Sequence, residues 1–220
     1  MRKIYGITAL IFVMFLMTAC QENPSASEKM YNHLEKAVEL EQNFEKQQEP
    51  MTSLENQEKE LYDQIIDLGK SEMEKIKELS DQAIELLNER RSILKAEKES
   101  IDSAKEEFDK IAPLKEELET EELKTKAEEM EEAMNQRYEA YGQLHSAYSK
   151  ALDLDEELYN MLKDEELEKE SLEKQIDKIN KSYEEIFSVN EKFNQATEKY
   201  NQLKQDFYEL AEMDVKFEEE

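Results

Sequence analysis

What most constrains this chain is how little in it can interrupt a helix. Its 220 residues include only three glycines and three prolines. The rest is dominated by Glu, Lys, Leu, Gln and Ala, all good helix formers. Leucines, isoleucines, tyrosines and phenylalanines recur at steps of three and four, the spacing that lines one face of a helix rather than one face of a strand. Charged residues make up 39% of the chain and aromatic residues 8%, with no tryptophan, so each helix has only a narrow apolar seam to bury. High charge with modest hydrophobicity favours disorder where apolar residues are scattered. Regular apolar spacing argues for folding instead, and the predicted fold class is all-α, an elongated antiparallel helical bundle.

Taken in order, residues 27–68 read as a short N-terminal helical hairpin. Ser27 suits the N-cap of a first helix through Met30, Leu34, Ala37, Val38 and Phe44. Glu49-Pro50 is the expected end, because proline disfavours helix in the residue before it. A second short helix carries Leu54, Leu61, Ile65 and Leu68. Gly69 then suits a left-handed helix end, and Ser71 with Glu74 suits a capping box.

Residues 70–214 are expected to form a bundle of three long helices. The first carries Ile76, Ala83, Leu87, Leu94, Ile101 and Phe108, with Arg90 and Glu97 interrupting its seam. Pro113 either kinks it or ends it near Ile111. Thr120 precedes Glu121 and Glu122 as an N-cap followed by acids, which the helix dipole favours. That helix contains Tyr141, Tyr148, Ala151 and Leu158, with Gly142 inside it. Asp164 reads as the last N-cap, ahead of Ile176, Ile179, Tyr183, Ile186, Phe193, Tyr200 and Phe207. Asn190, Thr197 and Lys204 occupy seam positions of this last helix, where polar residues fix register at some cost in stability. Short connections force antiparallel neighbours, and the arrangement resembles a spectrin-type rod in architecture. Residues 215–220 should fray.

The first twenty residues carry a different signal. Arg2 and Lys3 form a positive start, and the chain from Ile7 to Ala19 has no charge. That run is too short to span a bilayer, which takes about 20 apolar residues. It has the build of a signal peptide, residues 1–19, cut between Ala19 and Cys20. Met17-Thr18-Ala19-Cys20 resembles the bacterial lipobox, in which the cysteine is lipidated on sulfur and becomes the N-terminus. Cys20 is the chain's single cysteine, and so has no partner for an internal disulfide. Residues 20–26 then form a polar, lipidated tether. The expected location is the extracytoplasmic face of the cell membrane, held by the lipid anchor.

Removing residues 1–19, which hold two basic residues and no acid, takes the net charge from −27 to −29. Nucleic acid is excluded as a partner, because its phosphates need neutralising by Lys and Arg. Anionic wall polymers are repelled as well, unless cations bridge the two surfaces. No nucleophile motif, glycine-rich phosphate loop or EF-hand loop is present. The two histidines, His33 and His145, stand on different predicted helices and outside any zinc-binding spacing. The acidic clusters 116–122, 128–132 and 164–170 fall at helix starts or outward faces, where water solvates them. A catalytic carboxylate pair needs a cleft that separates its pKa values. The tyrosines at 138, 141 and 148 could stack on sugars, but their spacing favours core packing. The reading is of a non-enzyme with no cofactor and no metal.

The lipobox, the Gly-Lys-Ser-Glu-Met-Glu-Lys-Ile junction at 69–76 and Asn-Glu-Arg-Arg-Ser at 88–92 together resemble the YkyA-type lipoproteins of Gram-positive bacteria. The resemblance spans essentially the whole mature chain. It implies a cell-wall-binding lipoprotein and supplies no catalytic residues to carry over. The expected protein is therefore a membrane-anchored, monomeric binder of the cell wall or of an envelope protein. The alternative is a chaperone-like or adaptor coiled-coil module for exported proteins.

Overall fold

The structure, a computed structural model, describes residues 24–213. The signal peptide, Cys20 and the expected frayed tail lie outside the described residues. Four long helices account for nearly all of the rest: α1 (Ala26–Ile66), α2 (Met73–Phe108), α3 (Glu121–Leu162) and α4 (Lys169–Leu210). Each is about 55–65 Å long at 1.5 Å per residue. They run antiparallel, pairing as two hairpins, α1 with α2 and α3 with α4, which meet along α2 and α3.

α1 corrects the expected hairpin of residues 27–68, since it passes through Pro50 without a break. A proline inside a helix costs one hydrogen bond and about 3 kcal/mol. Here Pro50 and Lys46, whose carbonyl would have accepted the missing bond, are both exposed, so water can take its place. Met30, Leu34 and Ala37 on one side of Pro50 and Met51, Leu54 and Ile65 on the other are all buried. Packing at both ends outweighs the local cost. The bundle therefore has four long helices rather than three and a short hairpin.

Several helix ends also shift. The capping serine of α1 is Ser25, two residues before Ser27. Its hydroxyl accepts the Glu28 N–H at 3.1 Å, and the Glu28 carboxylate accepts the Ser25 N–H at 2.7 Å. Ser27 is buried in the first turn and donates to Glu119 at 3.0 Å. Gly69 is extended, with φ −93°, and not left-handed. The backbone turns there through a 3-10 segment, Lys70–Glu72, in which Glu72 accepts the Gly69 N–H at 3.3 Å. That contact replaces the expected Ser71–Glu74 box. Pro113 lies in a second 3-10 segment, Asp109–Glu117, so the α-helix ends at Phe108 before reaching it. Thr120 caps α3 as expected, accepting the Leu123 N–H at 3.1 Å. Asp164 instead shapes the turn before α4, accepting the Glu166 N–H at 2.9 Å, and α4 begins at Lys169.

The buried side chains fall into two clusters. The near cluster, at the end where Ser25 lies, draws on all four helices, with Met30, Phe108, Met130, Tyr141, Phe193 and Phe207 among its members. The far cluster, next to the two tight turns, is built from α1, α2 and α3 alone, around Met51, Ile65, Leu79, Leu87, Leu152 and Tyr159. No residue of α4 belongs to it. That asymmetry creates the site.

Candidate functional site: a groove between the first and last helices

At the near end α1 and α4 are tied together. Glu35 accepts from Lys204 at 3.0 Å and from Tyr208 at 2.7 Å. Arg137 of α3 grips Glu41 of α1 with two bonds of 2.7 Å and reaches Thr197 of α4 at 3.0 Å. Phe44 packs edge-on to Phe193 at 6.0 Å. Beyond Phe44 the two helices part. A groove opens with two lobes of about 360 and 270 Å³ that share Glu55. It runs along α1 from Phe44 to Tyr62 and along α4 from Asn194 back to Ile176. Either run is about 27 Å of helix.

The far half of α4 lies on α3 through Gln175, Ser182 and Val189, spaced one heptad apart. Gln175 donates to the Leu154 carbonyl at 2.8 Å. With only these positions turned inward, the larger side chains of α4 stay at or near the surface. Ile176, Ile179 and Ile186 are half-buried, Tyr183 is exposed, and Phe187 is 75% exposed. The expected α4 seam is thus fully buried only from Phe193 onward.

Beneath the groove all four helices meet at Arg90, which is 1% exposed. One guanidinium nitrogen contacts Glu58, and the other donates to Tyr148 at 2.8 Å and Glu55 at 3.4 Å. Tyr148 donates to Glu55 and Tyr159 donates to Glu58. Tyr183, crossing from α4, donates to Asp155 at 2.8 Å. A buried cation costs several kcal/mol unless its charge and hydrogen bonds are matched. Two carboxylates and a phenol match the charge of Arg90 and its two terminal nitrogens, while its Nε–H has no hydrogen-bond partner among the described residues. Burial pushes Glu58 up to about 7 against the pull of Arg90, and raises Asp155 against the donation from Tyr183. Glu97, a groove residue held by Gln48 at 2.8 Å, is also pushed up to about 7 by burial. Burial raises the phenols of Tyr148 and Tyr159, which therefore remain donors.

Chemically this arrangement is a brace. Donors occupy both oxygens of Glu58 and one oxygen of Asp155. A glycosidase-type pair needs one free acid and one free base facing a bond. Glu58 is not free in that sense, and Asp155 already has one oxygen bonded to Tyr183. Among the described residues no three His, Cys, Asp or Glu side chains stand together to hold a metal. His33 binds Glu107 at 2.7 Å, while His145 lies in the groove wall, its pKa lowered by burial and by Lys98. Tyr138 and Tyr141 pack in the core against Phe108 at 6.1 Å and Phe44 at 5.7 Å. Tyr148 joins the Arg90 network. The acidic clusters at 116–122 and 164–170 line no groove wall and are mostly exposed. Asp155, Tyr159 and Glu55 were not singled out from sequence. The available signal was polar residues on an apolar seam, with Arg90, Glu97 and Glu58 at seam positions.

These features define a class: long antiparallel helical proteins, with no helix among the described residues apolar enough to cross a membrane. Residues 25–210 match the YkyA family, described as "Putative cell-wall binding lipoprotein", and the chain belongs to that family. It is 35% identical over 175 residues to a Bacillus subtilis (strain 168) protein called "Uncharacterized lipoprotein YkyA", covering 79% of this chain and 78% of that one. The fold also matches the crystal structure of a conserved protein of unknown function from Staphylococcus aureus. The TM-score is 0.73 at 14% identity, covering 84% of this chain and 97% of that one.

Proposed function

We propose that the protein is a non-enzymatic lipoprotein, anchored through lipid on Cys20 to the outer face of the cytoplasmic membrane, that binds the cell wall or an envelope protein through the α1–α4 groove. The observation carrying this reading is where the groove lies. Ser25, a few residues after Cys20, would mark the membrane-proximal end of the bundle, and the groove runs from mid-bundle into the opposite half. Helices of about 60 Å would lift that half away from the lipid surface. The family description supports a wall-facing role. The strong negative charge requires bridging cations for any contact with anionic wall polymers. The apolar lining supports the second reading, an adaptor for exported proteins.

The test combines two measurements on the anchored protein. One is retention on purified sacculi with and without magnesium. The other is crosslinking in cells from a photoreactive residue placed at Asn190, an exposed position on the groove wall. Magnesium-dependent retention supports wall binding, and one reproducible envelope partner supports the adaptor. Absence of both, or hydrolysis of peptidoglycan by the pure protein, would overturn the proposal.

A further inference from the structure

We infer that the α1–α4 groove takes a basic amphipathic helix of about five turns from an envelope partner, seated between Phe44–Tyr62 of α1 and Ile176–Asn194 of α4. The inference rests on the groove being the binding face, as proposed above.

Shape argues for a helix. Both walls are helices whose backbone groups already bond within themselves, so an extended chain laid there would bury amides and carbonyls with nothing to bond. A helix satisfies its own backbone and presents apolar side chains on one face. The two lobes, about 360 and 270 Å³ on either side of Glu55, hold side chains rather than a backbone. They are lined by Met51, Leu94, Leu144, Ile176, Ile179 and Ile186, which offer apolar walls to such knobs. The groove's run of about 27 Å matches about 18 residues of helix.

Charge decides the sign of the partner. Glu45, Glu55, Glu58, Glu97 and Asp155 line the groove, against Lys59 as its one lysine. Arg90 is already committed beneath it to Glu58, Glu55 and Tyr148. Glu58, Glu97 and Asp155 are buried and held by internal donors, so lysines flanking the apolar face of an incoming helix would meet Glu45 and Glu55, which speeds encounter and sets orientation. A second copy of this chain does not fit, because without residues 1–19 it brings a net charge of −29 to an acidic groove. The chain's own C-terminal segment does not fit either. Residues 214–220 are mostly acidic and would bring like charge to the groove.

The experiment uses residues 20–220, with Cys20→Ala to keep lipid out of the assay. The probe is an 18-residue Leu/Lys amphipathic helix with one tryptophan on its apolar face. The protein has no tryptophan, so the emission shift reports the peptide alone. The expected result is saturable binding that weakens about tenfold in Glu45→Lys and in Ile186→Ser. Glu139→Lys, the same charge change on an exposed position outside the groove, should stay within about twofold of the parent. A Leu/Glu peptide of the same spacing should not bind. Far-ultraviolet circular dichroism confirms that each variant is folded.

Equal weakening by Glu45→Lys and Glu139→Lys would show attraction to overall charge and overturn the inference, as would no binding. Groove-dependent binding of a soluble peptidoglycan glycan fragment without peptide binding would overturn it in favour of carbohydrate. If crosslinks from Asn190 still capture a partner while the peptide fails, only the helix assignment falls. Loss of both sinks the underlying function as well.

Discussion

Glu97 is the residue whose burial has the clearest consequence in solution. It is 6% exposed, accepts one bond from Gln48, and its pKa stands at about 7 against an ordinary 4.5 because of burial. Between those values the folded state holds a proton that the unfolded chain has released, so raising the pH favours unfolding. The stability this group contributes is full below about pH 4.5 and is lost as pH rises through about 7. Glu58 adds to the same trend. Glu97→Gln keeps an acceptor for Gln48 and carries no charge. It should stabilise the protein by about 1–3 kcal/mol at pH 8 and change little at pH 5. Urea unfolding at the two pH values checks this, and a gain of equal size at both would remove protonation as the cause. Arg90 and Glu97 were visible in sequence as breaks in an apolar seam. Their partners were not, because Glu58 and Gln48 come from another helix, tens of residues away.

α1 and α3 each carry one residue that helices disfavour, for different reasons. Pro50 is exposed within α1 and removes one backbone hydrogen bond. Pro50→Ala should raise stability by about 1–3 kcal/mol. A neutral or negative result in thermal unfolding would mean that packing needs a bend at the proline. Gly142 lies inside α3, and a Cβ added there meets nothing within 4 Å. Gly142→Ala should gain about 0.5–1 kcal/mol by the same measurement, and a loss would point to a need for close approach. Local chemistry made Thr120 legible as a cap, since its hydroxyl and the next residues suffice. It misplaced the end of α1, because the burial of Met51, Leu54 and Ile65 that carries the helix through Pro50 is tertiary.

For the whole molecule, the proposed anchor and the bundle's self-sufficiency can be tested together. Cys20→Ala should release the protein from membranes or stall its processing, read by fractionation and mass spectrometry. Unchanged membrane retention would count against lipidation. The near core draws on all four helices of one chain, so light scattering of the released form should give a monomer mass. A stable dimer would mean that the exposed side chains of α4, such as Phe187, are covered between copies.

Helix formers almost free of glycine and proline, with apolar residues every three or four positions, were sufficient to settle an all-helical, antiparallel fold, because both signals are local and repeat along the chain. The number of long helices, the meeting of four helices at Arg90 and the parting of α1 from α4 beyond Phe44 were decided only in three dimensions. They depend on which seams face each other. A seam reports that it must be buried but not against what, and the far half of α4 turns just Gln175, Ser182 and Val189 fully inward, leaving its isoleucines to line a groove.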